Sequence, residues 1–180
     1  PIVGRVPYLG FFSEEKASEF FEELSEEPGW DLQKRRVGAY STLGYFDDPI
    51  LPSMLEWNTV SLLNLVFHEL VHATVWLPSS VVFNESFANF VGEKATLRYL
   101  EHRYGADSPK LVEAQGRFED GRRFRALLWG LYHDLDKLYR RADLKDLAKH
   151  QLKQKLYGSL EARVEKEAFW DQDWARKRIR

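Results

Sequence analysis

The segment Trp57–Trp76 constrains the fold of this chain more than any other part of the sequence. Apolar residues occupy nearly every side of it, as expected of a helix at the centre of a domain. Asn64, His68, Glu69 and His72 interrupt that pattern. Burying such polar groups costs free energy unless a partner satisfies them. The segment therefore predicts a central helix whose two histidines and glutamate share a partner, and a metal ion is a partner of the right chemistry.

The composition limits what the chain and its partner can be. The 180 residues are 44% hydrophobic and 30% charged, which indicates one folded domain over residues 1–180. The net charge of −2 gives no case for nucleic-acid binding. No run of about 18 apolar residues occurs, so no membrane span is expected. Because the chain has no cysteine, a metal ion must be held by His, Asp or Glu.

Residues 1–56 predict a helix followed by a small sheet. Residues 13–27 are typical of a short acidic amphipathic helix, with Ser13 as its N-cap and a Pro-Gly pair after it. Residues 34–46 place apolar side chains among glycine, serine and threonine, which favours one or two strands with a turn. We therefore expect an α+β fold that is mostly helical and has a small N-terminal sheet.

Residues 106–180 predict two long helices, over 109–139 and 143–169. Each carries a stripe of leucines, which indicates the two inner faces of a helical hairpin. The stripes comprise Leu127, Leu128, Leu131, Leu135 and Leu138 on the first helix, and Leu144, Leu147, Leu152, Leu156, Leu160 and Val164 on the second. Ordinary packing accounts for both stripes, so this region is expected to support the fold.

The chemistry lies in residues 57–105, where His68-Glu69-Leu70-Val71-His72 forms an H-E-x-x-H pattern on the central helix. Four residues make a little over one turn, so both imidazoles project from one face and can bind one ion. Glu69 lies beside the first histidine and can reach the open side of the metal. The pattern predicts one zinc ion per chain, with His68 and His72 as ligands and Glu69 as general base.

A catalytic zinc ion usually has three protein ligands and a water molecule. The next predicted helix begins at Asn84 as its N-cap and carries Glu85 in its first turn. The loop 77–83 is long enough to turn this helix back onto the first, so Glu85 is the predicted third ligand. A favourable interaction with the helix dipole is the alternative role for this glutamate. Other candidates for the third ligand are Glu93, His102 and Asp107.

H-E-L-V-H followed by N-E-S-F-A is similar to the gluzincin metallopeptidases, in which the second helix contributes a glutamate. The chain more specifically resembles the bacterial family of predicted aminopeptidases. The matching stretches are residues 3–8, 39–49, 67–72 and 83–88. The resemblance implies a zincin-like fold and a bound zinc ion. It also implies a longer protein with an N-terminal export signal of the lipoprotein type, and so the cell envelope or periplasm, with the cytoplasm as the alternative.

Two features depart from better-known relatives of this kind. Only 12 residues separate His72 from Glu85, fewer than in thermolysin-like enzymes. The chain also lacks the Gly-x-Met-Glu-Asn motif with which well-studied aminopeptidases hold a free amino terminus. Removal of single residues from the amino terminus is therefore expected from the family resemblance alone, and internal cleavage stays open.

Two tyrosines are the candidates for contact with substrate. The predicted strand that carries Tyr40 and Tyr45 precedes the zinc helix, where zincins place the strand that pairs with substrate backbone. Either hydroxyl could donate a hydrogen bond to the oxyanion, and packing is the alternative role for both. Asn84 is a candidate for a residue that holds the metal ligands in place without binding the ion itself.

The sequence thus predicts a zinc-dependent peptidase acting on a peptide substrate. The alternative is a non-catalytic, zinc-stabilised helical module that binds a protein partner through the hairpin of residues 109–169. Glu69 favours the enzyme, because a structural site needs no base beside its ligands. The oligomeric state is left open by the sequence.

Overall fold

A computed structural model describes residues 9–11, 13–27, 32–34 and 51–179, and all regular structure in these ranges is α-helical. The helices are α1 (Glu14–Ser25), α2 (Pro52–Leu55), α3 (Thr59–Thr74), α4 (Val81–Tyr104), α5 (Pro109–Tyr139), α6 (Asp146–Lys166) and α7 (Gln172–Lys177). None of them is long and apolar enough to cross a membrane. The chain divides into two compact units, Pro1–Lys94 and Ala95–Arg180. The single-domain organisation stays a prediction.

The α+β assignment is wrong for this structure, because the described residues contain helices and no strand. The prediction of a mostly helical chain is confirmed for the same residues. The expected sheet depended on an alternating pattern over residues 34–46, of which the structure describes Lys34 alone. Such a pattern produces a sheet only where partner strands exist, and a single hairpin is marginal in water. Every element available as a partner in the described ranges is a helix.

The first unit contains α1 and α3, whose ends the sequence predicted to within two residues. α1 begins after Ser13, whose hydroxyl accepts a hydrogen bond from the backbone N–H of Lys16 at 3.3 Å. α3 begins after Asn58, whose side-chain oxygen accepts from the N–H of Ser61 at 3.0 Å. Both caps satisfy N–H groups that lack a partner within their helix. α3 is less buried than its composition suggests, because its outer side, with Leu70, is exposed.

The second unit is built on the packing of α5 against α6, as the leucine stripes predict. Its core contains Phe124, Leu131, Leu160, Val164 and Ala175. The stripes were wrong in part: Leu128, Leu147 and Leu152 are exposed, and the side chain at position 147 is 72% accessible. The buried face of each helix is therefore narrower than the stripe of leucines predicted from the sequence.

The segment before α7 is fastened to α5 through a buried acid. Asp120 is 2% exposed, and its two carboxylate oxygens accept hydrogen bonds from the backbone N–H groups of Trp170 and Asp171 at 2.7 and 2.8 Å. Gly116, one turn earlier on α5, gives room for the Trp170 ring, since a Cβ at position 116 would lie 2.5 Å from it. Two N–H donors thus satisfy the buried carboxylate, and they hold the segment before α7 against α5.

We expect Asp120→Asn to destabilise the protein by about 2 kcal/mol, because an amide offers one acceptor where two backbone N–H groups need two. The matched control is Asp134→Asn on the same helix. Asp134 forms a half-exposed ion pair with Arg163 at 3.1 Å, and such pairs contribute about 1 kcal/mol or less. Urea unfolding followed by circular dichroism measures both losses. Equal losses in the two variants would contradict the role assigned to the buried carboxylate.

Candidate metal centre

The H-E-x-x-H pattern lies in the last two turns of α3. His68 and His72 are four residues apart, and their Nε2 atoms approach to 3.0 Å. The ring centroids are 4.6 Å apart and the rings are nearly perpendicular. His72 is buried at 6% exposure, and His68 is partly buried. Two ring nitrogens that face each other so closely fit a shared proton or a shared cation.

Glu85 of α4 completes the group from the neighbouring helix. Its Oε2 lies 3.5 Å from Nε2 of His68, and its Oε1 lies 3.4 Å from Nε2 of His72. The three side chains place one ligand atom each within 4.8 Å of the others, and no other such group occurs in the part of the chain that the structure describes. Bonds of 2.0–2.1 Å to a tetrahedral ion would separate ligand atoms by about 3.3 Å. The donor set and its spacing therefore fit a single small cation.

The electrostatics of the group favour the neutral imidazole at His72. Burial lowers the pKa of His72, and the neighbouring His68 lowers it further. The carboxylates of Glu85 and Glu69 act in the opposite direction. A histidine whose pKa lies below its ordinary value is neutral at pH 7, which is the form that binds a metal ion. The environment of His72 thus favours the protonation state that a metal ligand requires.

The side chain of Asn84 holds the turn between the two helices. Its Oδ1 accepts from the backbone N–H of Leu77 at 2.9 Å, and its Nδ2 donates to the carbonyl of Leu77 at 2.8 Å. Asn84 is 2% exposed, so both bonds are shielded from water. The predicted N-cap at this position is wrong, because α4 begins three residues earlier at Val81. The amide instead ties the loop to α4 directly beside Glu85.

Glu69 follows the first histidine on α3 and is half-buried. Its charge is near enough to His72 to raise the pKa of that imidazole. No hydrogen bond to its carboxylate occurs among the residues that the structure describes. A carboxylate in this state is available to accept a proton from a group at the centre.

Comparison with protein families adds one decisive observation. The model of the family described as "Putative aminopeptidase" matches residues 1–178. The chain belongs to this family. The match extends beyond the motifs near residues 1–95 and covers the helical second half as well. The family description names a peptidase and says nothing of zinc or of individual residues. Comparisons with curated proteins and with solved structures found no match.

The remaining site predictions lie apart from this group or outside the described ranges. Tyr40 and Tyr45 belong to residues 35–50, which the structure does not describe, so their contact with substrate stays a prediction. The alternative third ligands Glu93, His102 and Asp107 join no such group of ligand atoms among the described residues. Glu85 is thus the carboxylate that the structure brings to the two histidines.

Two residues at the centre, Trp76 and Gly92, were not singled out from the sequence. Trp76 meets the ring of His72 edge-on, with centroids 5.4 Å apart. Gly92 of α4 lies against Asn64 and the backbone of His68 on α3. Trp76 follows His72 by four residues, so helical periodicity could have identified it. A glycine inside a helix often marks a close approach of another element, which was the available signal for Gly92.

We expect Asn84→Asp to destabilise the protein by about 2 kcal/mol, since a buried carboxylate would face the Leu77 carbonyl without a donor. Asn89→Asp is the matched control, because Asn89 is exposed and donates one bond to the Glu85 carbonyl at 2.7 Å. Thermal and urea unfolding compare the two variants. A loss in Asn84→Asp no larger than in Asn89→Asp would show that the turn does not depend on this amide.

Proposed function

We propose that this chain is a zinc-dependent peptidase that hydrolyses peptide bonds with a metal-activated water molecule. His68, His72 and Glu85 hold the zinc ion, and Glu69 is the general base. The observation that carries the proposal is the convergence of the three ligand atoms within 4.8 Å, from two helices joined by a short turn. Membership of an aminopeptidase family supports the peptide as the substrate class.

The donor set supports zinc over other common ions. Ca²⁺ and Mg²⁺ prefer oxygen ligands, whereas two imidazoles and one carboxylate are typical of catalytic zinc. A structural zinc site usually has four protein ligands. Three converge here among the described residues, which leaves a position for water.

In the proposed mechanism each residue has a separate task. His68 and His72 bind through Nε2, and the turn secured by Asn84 presents the Glu85 carboxylate to the same point. Bound zinc supplies a Lewis acid that lowers the pKa of a water molecule. Glu69 would accept a proton from the water that attacks the peptide carbonyl and would give a proton to the leaving amine. The bond between carbonyl carbon and nitrogen breaks, and a carboxylate and an amine result.

We expect the purified protein to contain about one zinc ion per chain, because three ligands are in place. His68→Ala, His72→Ala and Glu85→Ala should each lose most of it, as measured by plasma mass spectrometry. His150→Ala, at an exposed position on α6, is the matched control and should keep its zinc. Full zinc content in Glu85→Ala would remove Glu85 from the ligand set.

We expect Glu69→Gln to keep its zinc but to hydrolyse peptides at least ~100-fold more slowly, because the amide cannot accept a proton. Glu161→Gln, an exposed change on α6, should leave the rate unchanged. One peptide assayed with its amino terminus free and acetylated identifies the mode of cleavage, and an aminopeptidase should cut the free form alone. Equal turnover by Glu69→Gln and wild type would remove Glu69 as the general base, and absence of turnover in the zinc-loaded wild type would favour the zinc-stabilised interaction module.

A further inference from the structure

Glu85 shares one side of α4 with two small residues, Ala88 and Gly92, and Gly92 lies against α3. Gly92 follows Glu85 by seven residues, which places the two about 20° apart around the helix. Ala88 lies between them and is completely buried. On α3, Asn64, His68 and His72 follow one another at intervals of four residues and so share a face as well. The distance between the two helices therefore decides how far the Glu85 carboxylate must reach.

The closest approach of α4 to α3 is at Gly92. A Cβ added there would lie 3.1 Å from the carbonyl oxygen of Asn64, 3.2 Å from its Oδ1 and 3.3 Å from the backbone nitrogen of His68. Contacts of this length are tighter than nine in ten real Cβ contacts. Two of the three atoms belong to the backbone of α3 and cannot rotate away. A side chain at position 92 would therefore move one helix from the other by a few tenths of an ångström.

We infer that Gly92 is a positioning residue for the metal centre: its lack of a side chain sets the separation of α3 and α4 at which Glu85 reaches the two histidines. The inference deepens the proposed function and rests on it. Asn84 holds the turn at one end of the helix pair, and Gly92 sets the spacing two turns further along α4. The backbone nitrogen of His68 is one of the three atoms that Gly92 approaches, so the close contact lies beside the first histidine.

Zinc affinity, measured by calorimetry on the full chain, tests the inference apart from catalysis. We expect Gly92→Ala to weaken zinc binding about 10-fold, the lower end of what supporting residues contribute to metal sites. Gly158→Ala is the matched control, because Gly158 is also helical and has nothing within 4 Å of an added Cβ. That variant should bind zinc as the wild type does. Both variants should retain the circular dichroism of the wild type.

A second pair of variants separates positioning from general weakening of the fold. Gly92→Ala is also made in the Glu85→Ala background, where the two histidines alone bind zinc weakly. If Gly92 acts by presenting Glu85, its replacement should reduce affinity in the native background and have little effect in the Glu85→Ala background. Equal reductions in both backgrounds would overturn the inference, because a distorted fold would affect the histidines alike.

The remaining outcomes are also informative. Unchanged affinity in Gly92→Ala, with Glu85→Ala still deficient, would overturn the inference and leave the proposed metal site standing. Loss of the fold in Gly92→Ala but not in Gly158→Ala would overturn it too, since the inference requires a small shift between intact helices. Absence of zinc binding by the wild type would overturn the proposed function and the inference together.

Discussion

The burial of imidazole side chains on an apolar helix is the constraint on which the first unit depends. A helix as apolar as α3 must pack against another element, and this packing buries the histidines on the same side of the helix. His72 is 6% exposed, and its Nδ1 has no hydrogen-bond partner among the described residues. Three buried polar atoms without a partner occur in these residues, and two of them, on Asn64 and His72, lie on the face of α3 that carries the candidate ligands. The unsatisfied polarity is therefore concentrated beside the candidate centre.

Two other buried polar side chains have all their hydrogen bonds to the backbone. Asp120 and Asn84 are each 2% exposed, and both are satisfied by the backbone. The carboxylate accepts from two consecutive N–H groups, and the amide both accepts from and donates to a single residue. Each side chain thus replaces hydrogen bonds that regular structure does not supply at a turn. Asp120 and Asn84, which each hold a segment in place, thus have backbone partners for their polar atoms. Asn64 and His72, on the face that carries the candidate ligands, each keep a buried atom without a hydrogen-bond partner among the described residues.

The sequence predicted what depends on local periodicity and missed what depends on contacts between segments. The bounds of α5 were predicted to the residue, and the spacing of His68 and His72 indicated a shared face. Asn84 was assigned as a cap because asparagine before a helix usually is one, but the chain had already entered the helix at Val81. Leu147 was assigned to an inner face and is exposed. The role of Gly92 depends on the backbone of another helix, which no pattern within α4 reveals.

The short connection between α3 and α4 has a consequence for how the centre assembles. All three candidate ligand side chains lie within residues 68–85, and the turn joins the two helices directly. The entropic cost of bringing chain segments together grows with the length of the loop between them, so this cost is small here. Across small proteins, a larger share of contacts that are local in sequence also goes with faster folding. A cation that binds these three side chains would therefore stabilise the α3–α4 pair itself. Its binding free energy would favour folding routes in which this pair forms before segments that are distant in sequence have packed.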